Sequence, residues 1–472
     1  MKSFKYIIFL FLAFLLTSCE NYLDVGVPKD EVATELAFTD DKLATASVTG
    51  VFTRMNQLNY QFANVLSMIL PAMQADEFVY AFTSATYDEF KSNAPLSSNQ
   101  YVGILWSQPY QYIAQANMCI EGLEASTALS PEVKKHLIGE AKFIRAFCYF
   151  YLVNNYGDVP LVTGTDVAHN NTIGRTPAAQ VYTAIIDDLK DAKSRLAPEY
   201  ANGARLDGSG ERIRPNKSAA SALLARTYLY TEQWDLAEAE ASEVINNPLY
   251  RLLPTASLNN VFLKNSEEAI WQLQPVNTGG GRNTWEGSLI VPVNITTGNP
   301  LFRLVPGYLY DAFESGDQRH EHWVGKITLS GQLHKFPYKY KVRAGVTPVQ
   351  EYSMVLRLAE QYLIRAEARF EQNKLAEAQA DINVIRQRAG LDDLDLGNNV
   401  NAIRQALEQE RRVELFAEWG HRWYDLRRWP SLSGAAGKTR ADDILPSLKS
   451  GWQSDAIYLP LPDEAVKTNP AL

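Results

Sequence analysis

The sequence contains 472 residues with 45 Lys or Arg and 54 Asp or Glu, which gives a formal net charge of -9. This length and the mixed apolar, aromatic and charged composition are typical of a globular protein with a large core, and not of a disordered chain. The negative charge and the lack of a long basic run exclude nucleic acid as an expected partner, because phosphate neutralisation requires clustered Lys and Arg. The 24 Tyr, 19 Phe and 9 Trp supply candidates for a binding surface wherever they fall outside helical stripes.

Residues 1–18 have the pattern of an export signal. Two lysines precede an apolar run from Tyr6 to Leu16, which is too short to span a bilayer as a stable helix. The run ends in Leu-Thr-Ser-Cys at residues 16–19, which resembles a bacterial lipobox. By that resemblance, cleavage leaves Cys19 as the acylated first residue, and several acyl chains hold a protein on a membrane better than one. We therefore expect a lipid anchor at Cys19 followed by a polar tether over residues 19–38.

Helical periodicity dominates from residue 39 to about residue 250. The first helix is predicted over Asp40–Asn59 with Thr39 as its N-cap. Three more are predicted over Trp106–Leu123, Pro131–Tyr156 and from Thr176-Pro177 to about Leu196. The helices that begin at Pro131 and Pro177 are expected to pair as a hairpin.

Cys119 and Cys148 both fall in apolar helical segments. A disulfide is possible in an exported protein, but cysteines on separate helices more often lie unpaired in a core. We expect the unpaired, inert state.

Two helical hairpins, over residues 216–247 and 362–390, share a sequence pattern. The ten residues from Glu232 to Ala241 align without gaps with the ten from Glu371 to Ala380. Repeated small residues where two helices cross are typical of tetratricopeptide-like helix pairs. A further helix is predicted over Asn401–Trp419.

Two segments lack helical periodicity, Asp76–Tyr101 and Leu252–Gln350. The second contains one strand-like run, Ala269–Leu273, within sequence rich in Pro, Gly, Asn and aromatics. Long irregular segments in compact proteins are usually functional or disordered, and the aromatic content argues against disorder here. The helical segments therefore predict a scaffold and the irregular segments predict the functional part.

Trp285 is the leading candidate for a binding residue. It follows three glycines, Arg282 and Asn283 in a predicted loop, whereas the periodic contexts of Trp106 and Trp271 place those two rings in the core. We expect Trp285, Asn283 and Arg282 to contact a ligand, with Tyr80, Phe82 and Tyr87 as the facing surface. The alternative is that these rings only pack loops against the scaffold; the candidate set is Trp285, Asn283, Arg282, Tyr80, Phe82 and Tyr87.

No motif indicates a metal, a cofactor or catalysis. His320 and His322 are close in sequence but lack a third ligand at zinc spacing. The sequence contains no Gly-x-Ser-x-Gly, no Walker loop and no Gly-x-Gly-x-x-Gly after a strand. We therefore expect a protein that is not an enzyme.

The charged and aromatic run Glu410–Trp429 looks most like an active site, but its spacing favours a structural role. Glu410 and Glu414 are one helical turn apart, and Arg422, Asp425 and Arg428 advance by three residues. We expect an ion network, packed against Trp419, Trp423 and Trp429, that locks helices together.

Five pieces in this order resemble the SusD/RagB family of outer-membrane nutrient-binding lipoproteins, over nearly the whole chain. They are the lipobox with Tyr22-Leu23-Asp24, residues 141–146 running to 156–161, Arg365-Ala366-Glu367-Ala368, Arg386-Gln387-Arg388-Ala389-Gly390, and Glu410-Arg411 through Arg428-Trp429.

The resemblance implies a mainly α fold, in which a tetratricopeptide-like helical scaffold carries a large irregular, loop-rich insertion with short strands. It implies one SusD-like unit over residues 39–472, with scaffold helices at about 39–60, 104–250 and 351–430 and ligand-binding parts at about 76–101 and 252–350.

The resemblance also implies a cell-surface lipoprotein that binds an oligosaccharide and hands it to a SusC-like TonB-dependent outer-membrane transporter. The alternatives are a RagB-like peptide-binding protein, a tetratricopeptide scaffold for another protein and, last, an enzyme.

Overall fold

Helices in antiparallel pairs make up most of the chain in the computed structural model, which describes residues 36–276, 283–343, 345–455 and 457–472. The predicted signal peptide, Cys19 and Arg282 lie outside the described residues. The helices are α1 (Asp41–Met55), α2 (Ser67–Gln74), α3 (Ala85–Lys91), α4 (Gln100–Ala125), α5 (Pro131–Tyr156), α6 (Val167–Asn170), α7 (Ala178–Arg195), α8 (Lys217–Tyr230), α9 (Trp234–Ile245), α10 (Trp285–Ile290), α11 (Gln318–His322), α12 (Leu358–Glu371), α13 (Leu375–Arg388), α14 (Val400–Leu415), α15 (His421–Arg428), α16 (Arg440–Ile444) and α17 (Asp463–Thr468).

Among the described residues, six short strands form three antiparallel two-stranded ribbons, β1 with β3, β2 with β6, and β4 with β5. The strands are β1 (Phe78–Tyr80), β2 (Ala269–Leu273), β3 (Phe302–Leu304), β4 (Val324–Leu329), β5 (Gln332–Pro337) and β6 (Ser353–Arg357). The mainly helical fold class predicted from the sequence is confirmed.

The long helices pack in sequence order, α4 on α5, α5 on α7, α7 on α8, and so on to α13 on α14. The predicted pairing of the Pro131 and Pro177 helices is confirmed, and Arg145 of α5 holds Asp188 of α7 with two bonds of 2.7 Å. The first helix was predicted with the wrong cap, because Asp40 accepts from the Leu43 amide at 2.9 Å and acts as the N-cap.

The two repeated hairpins are confirmed as α8–α9 and α12–α13, but the gapless alignment of their sequences is out of register by two residues. The middle of the turn, where φ is positive, is Glu232 in one hairpin and Asn373 in the other. With those two residues matched, the buried Ala237 and Ala241 of α9 fall opposite the buried Ala378 and Ile382 of α13. The repeat is therefore defined by the apolar residues that are buried where the two helices cross. The similar polar residues around the two turns do not occupy equivalent positions.

The predicted strand Ala269–Leu273 is confirmed as β2, which is completely buried against β6. Because β6 leads directly into α12, this ribbon joins the insertion to the scaffold. The β4–β5 hairpin was missed, although its two-residue Ser330-Gly331 turn, with φ of 51° and 80°, is a turn that favours hairpins.

The prediction that Asp76–Tyr101 has no regular structure is wrong. This segment contains β1, α3 and the first residues of α4. Helix α3 has only seven residues and two buried side chains, Tyr87 and Phe90, so it is too short to show helical periodicity.

A buried ion cluster joins the insertion to the scaffold around Glu414 of α14. Its carboxylate accepts from Arg357 of β6 at 2.5 Å, from Arg319 of α11 at 3.0 Å and from Arg388 of α13. Glu418 pairs with Arg357 and Lys339, and all of these side chains are almost completely buried. Burial alone would raise the pKa of Glu414, but its arginine partners outweigh that effect and hold its pKa well below the usual range.

The structural interpretation of the run Glu410–Trp429 is confirmed, since Trp419, Trp423 and Trp429 are buried and Arg428 pairs with Asp425 at 2.7 Å. The predicted helix bounds are wrong at the C-terminal end. Helix α14 ends at Leu415, because Ala417, Trp419 and Gly420 have positive φ. This break turns the chain into α15.

The predictions for the cysteines and two of the tryptophans are also confirmed. Cys119 and Cys148 are free and buried, and Trp106 and Trp271 lie in the core. Among the described residues, no helix is both long and apolar enough to cross a membrane.

Candidate functional site

The concave surface that suits a ligand best lies beside β1, where the chain passes from core to solvent. Phe78 is completely buried, Tyr80 is partly buried and Phe82 is 48% exposed. A cavity of about 690 Å³ opens here between β1, α3 and the segment 448–450. We call it the aromatic groove, and its lining residues are Tyr80, Ala81, Phe82, Thr83, Asp88, Lys91, Ser92, Leu448 and Ser450.

Tyr80 and Phe82 form the aromatic side of the groove. The centre of the Tyr80 ring lies 5.9 Å from that of Phe82, in an edge-to-face arrangement, and 5.3 Å from that of Phe302 in β3. The strand pairing of Tyr80 with Phe302 fixes this position. The exposed Phe82 therefore extends from a supported aromatic cluster.

Tyr87 supports the groove from below. Its ring centre lies 4.7 Å from that of Tyr80, and its hydroxyl is 3.3 Å from the hydroxyl of Tyr101. Burial, reinforced by the Tyr101 hydroxyl, raises the pKa of Tyr87 far above its usual value. Tyr87 is 7% exposed and is not among the lining residues, so it holds Tyr80 in place.

Helix α3 supplies the polar side of the groove. Asp88 accepts from the Ser84 amide at 3.1 Å, which fixes one of its two carboxylate oxygens. Lys91 is exposed, and Ser92 donates to the Asp88 carbonyl at 2.9 Å. The lining of the groove thus combines a carboxylate, an ammonium group and hydroxyls with two aromatic rings.

The third side comes from the C-terminal part of the chain. The Gly451 amide donates to the Ser92 carbonyl at 2.9 Å, and Lys449 donates to the Met73 carbonyl in the core. A Cβ on Gly451 would lie 2.5 Å from the Ser92 oxygen, so this close approach requires glycine. Sequence reasoning missed Leu448 and Ser450 because their segment has no periodicity, and a glycine next to Trp452 was the one available signal.

A buried charged cluster lies at the base of the groove, where β1 begins. Asp76 accepts from Arg422 at 2.8 Å and lies 3.0 Å from Arg412. Burial, together with the charge of Asp76, raises the pKa of the neighbouring Glu77 to about 8, and its Oε1 has no hydrogen-bond partner among the described residues. Burial lowers the pKa of Lys449 to about 7.

The prediction that Trp285 lies in an exposed loop is wrong. Trp285 is the first residue of α10, is 8% exposed, and donates from Nε1 to the Asn56 carbonyl at 3.3 Å. Asn283 is completely buried, and its side-chain oxygen accepts from the amides of Gln350 and Glu351 at 2.6 and 2.9 Å. Neither residue lines the aromatic groove, and both connect the insertion to neighbouring segments.

The binding site predicted from the sequence therefore combined residues that lie in different places in the structure. Tyr80 and Phe82 line the groove and Tyr87 supports them, whereas Trp285 and Asn283 lie in the interior. Glycines before Trp285 suggested a mobile loop, but the N-cap Thr284, which accepts from the Gly287 amide at 2.9 Å, begins a helix. Within the described ranges, no group of three or more His, Cys, Asp or Glu side chains could hold a metal ion.

Two family models match the chain. Residues 21–229 match a SusD-like model described as starch-binding and associating with the outer membrane, and residues 328–472 match the SusD family model. The chain belongs to the SusD/RagB family.

Two curated relatives match at least nine-tenths of its length. SusD-like protein P25 of Formosa agariphila is 25% identical over 100% of this chain and 98% of the relative. A SusD-like protein of Bacteroides ovatus is 23% identical over 91% of this chain and 83% of the relative. The family resemblance predicted from the sequence is confirmed.

Solved SusD structures share the fold of this SusD/RagB protein. A laminarin-binding SusD-like protein is 25% identical, with a TM-score of 0.73 over 90% of this chain and 97% of that one. Surface glycan-binding protein A from Bacteroides uniformis is 20% identical, with a TM-score of 0.76 over 92% of this chain and 98% of that one.

Proposed function

We propose that this SusD/RagB protein binds an oligosaccharide or polysaccharide in the aromatic groove and does not change it chemically. It then delivers the glycan to a SusC-like TonB-dependent transporter, while a lipid on Cys19 holds it at the outer surface of the cell. The observation that carries this proposal is the exposed Phe82 beside Tyr80, both of which line an open groove together with Asp88, Lys91 and Ser92.

The chemistry of sugars explains why this combination suits them. A pyranose ring has an apolar face of C–H groups and a rim of hydroxyls, and those hydroxyls are costly to desolvate without hydrogen-bond partners. Ligand sites meet this need with apolar and aromatic surface and a few placed polar groups. Family membership and the laminarin-binding neighbour support the same ligand class.

The aromatic groove lies outside the stack of long helices. This position agrees with the proposal that the helical scaffold supports the binding site and does not itself bind the glycan. The described residues of the groove offer Asp88 as their single carboxylate, whereas glycoside hydrolysis ordinarily requires two that face each other. This single carboxylate supports the proposal that the glycan is released as it was bound.

The first experiment is affinity gel electrophoresis of the mature protein through laminarin, amylopectin, xylan, pectin and mannan. We expect at least one glycan to retard the protein, and Phe82→Ala to weaken that retardation about tenfold or more. Tyr458→Ala is the matched control, because Tyr458 is an aromatic residue with similar exposure, 45%, that does not line the groove; it should bind like the wild type.

Other outcomes would assign a different function. If mixed peptides bind and no glycan does, the protein is a RagB-like peptide-binding protein. If neither binds but a transporter co-purifies, it is a protein-interaction scaffold. New reducing ends released from a bound glycan would show an enzyme.

The lipid anchor is tested separately, since Cys19→Ala should remove the protein from the outer-membrane fraction.

A further inference from the structure

A second cavity is lined in part by the residues that directly follow the third wall of the aromatic groove. Its volume is about 280 Å³, and its lining includes Trp452, Pro446, Lys438, Asp442 and serines 431, 433 and 454. We call it the Trp452 cavity. Its position next to the groove makes it a candidate for a further part of the ligand site.

Trp452 has the features of a fixed aromatic platform. It is partly exposed, and its ring meets the buried Trp423 edge to face at 6.2 Å and 88°. Its Nε1 lies 3.4 Å from a carboxylate oxygen of Asp442. Trp423 and Asp442 thus fix the orientation of the Trp452 ring. Because the ring is already ordered, a ligand that binds to it causes little further loss of side-chain entropy.

The polar groups of the cavity are preorganised and suit a neutral ligand rich in hydroxyls. Lys438 donates to the Ser454 hydroxyl at 2.6 Å, and the Ser431 and Ser433 hydroxyls are 2.7 Å apart. The Ser431 and Ser454 hydroxyls already donate to Asp443 and Asp442, so the serines of the cavity can serve sugar hydroxyls mainly as acceptors. Asp442 is paired with Lys438 and Asp443 with Arg440, so the charges of the cavity are compensated and do not favour a charged ligand.

One short piece of backbone separates the two cavities. Ser450 lines the aromatic groove and Trp452 lines the second cavity, and residues two apart have Cα atoms separated by at most about 7 Å. The bond from the Gly451 amide to the Ser92 carbonyl fixes this segment between them. A single extended glycan that follows this segment would contact both.

We infer that the Trp452 cavity is a second carbohydrate subsite, for neutral glycans, and that chains long enough to reach both sites bind more tightly than short ones. This inference rests on the proposed function of the aromatic groove. Two linked contacts raise the affinity of a ligand that reaches both and leave that of a short ligand unchanged.

The test uses the polysaccharide from the panel that retards the protein most, together with its oligosaccharides from partial acid hydrolysis, separated by length. Calorimetric titration should show affinity rising with length in the wild type. Trp452→Ala should lower the affinity for the longest fragments about tenfold and leave the shortest bound fragment unaffected. Phe82→Ala should weaken binding of all lengths.

Two controls separate a binding role from a structural one. Trp452→Phe keeps an apolar ring and should retain most of the long-chain affinity, and Tyr458→Ala should behave like the wild type. Unchanged circular dichroism and thermal midpoints show that the variants are folded. If Trp452→Ala binds fragments of all lengths like the wild type, the proposal of a second subsite is wrong, whereas the proposed role of the aromatic groove is unaffected. If no glycan binds the wild type, the proposed function fails and the subsite fails with it.

Discussion

The ion cluster around Glu414 and the aromatic groove use charge in opposite ways. In the cluster, acidic and basic side chains are buried and paired with one another, and no polar group is offered to solvent. In the groove, Asp88 and Lys91 face an open cavity beside an exposed phenyl ring. Dense charge in the sequence therefore marks the structural joint of this protein, and sparse charge beside aromatic residues outside the long helices marks the surface that we propose for the ligand.

The largest effect is expected where the joint is broken. Glu414→Gln keeps the shape of the side chain but leaves Arg319, Arg357 and Arg388 without their shared carboxylate. Loss of one partner from a buried ion cluster should lower the free energy of unfolding by about 3–5 kcal/mol, measured by urea denaturation.

The control for that variant is Glu267→Gln, which removes a carboxylate from an exposed pair with Arg251. It should change the free energy of unfolding by less than about 1 kcal/mol. Equal effects of the two variants would show that burial does not distinguish the cluster from surface pairs.

An intermediate effect is expected at the base of the groove, where Glu77 is buried next to Asp76. Burial and that neighbouring charge raise the pKa of Glu77 from 4.5 to about 8. Between those values the folded protein keeps a proton that the unfolded chain releases, so the contribution of Glu77 to stability is complete below pH 4.5 and is lost as the pH rises to 8.

Glu77→Gln should remove this contribution to the pH dependence. We expect the drop in unfolding free energy from pH 5 to pH 8 to be about 1–3 kcal/mol smaller in the variant than in the wild type. Glu286 and Glu351, whose burial raises the pKa of each to about 7, titrate in both proteins. A pH dependence identical to that of the wild type would mean that Glu77 is not held protonated.

The smallest effects are expected at two glycines that differ in their surroundings. Gly451→Ala would place a Cβ 2.5 Å from the Ser92 oxygen, so the wall of the groove must move, at a cost of about 1–2 kcal/mol. It should also weaken glycan binding, as measured by calorimetry.

Gly50→Ala is the matched change in the scaffold. Gly50 lies inside α1 with nothing within 4 Å of its Cβ position, and alanine there should raise stability by about 0.5–1 kcal/mol without changing binding. The predicted difference between the two glycines is wrong if Gly451→Ala changes neither the stability nor the glycan affinity.

The sequence predicted the scaffold well because its helices are long. Pro131–Tyr156 was placed with the correct bounds, since a proline at the start and Gly157 at the end mark a helix of seven turns. The family resemblance and the structural role of Glu410–Trp429 followed from patterns of the same local kind.

The groove was predicted only in part, because its geometry depends on contacts between distant segments. Tyr80 and Phe82 were found as aromatics outside any helical stripe. Trp285 was misplaced because a ring after several glycines looks exposed in the sequence, whereas in the structure it is 8% exposed and donates to the Asn56 carbonyl. Leu448 and Ser450 could not be found, since no local pattern brings them to α3.

The bond between Lys449 and the Met73 carbonyl spans 376 residues of sequence, so the groove has walls from both ends of the chain. A protein that stops short of residue 448 lacks the third wall of the groove, Leu448 and Ser450. If the groove binds glycans as we propose, glycan binding therefore requires the C-terminal residues. An immobilised glycan should retain the full-length protein and should not retain C-terminally truncated protein.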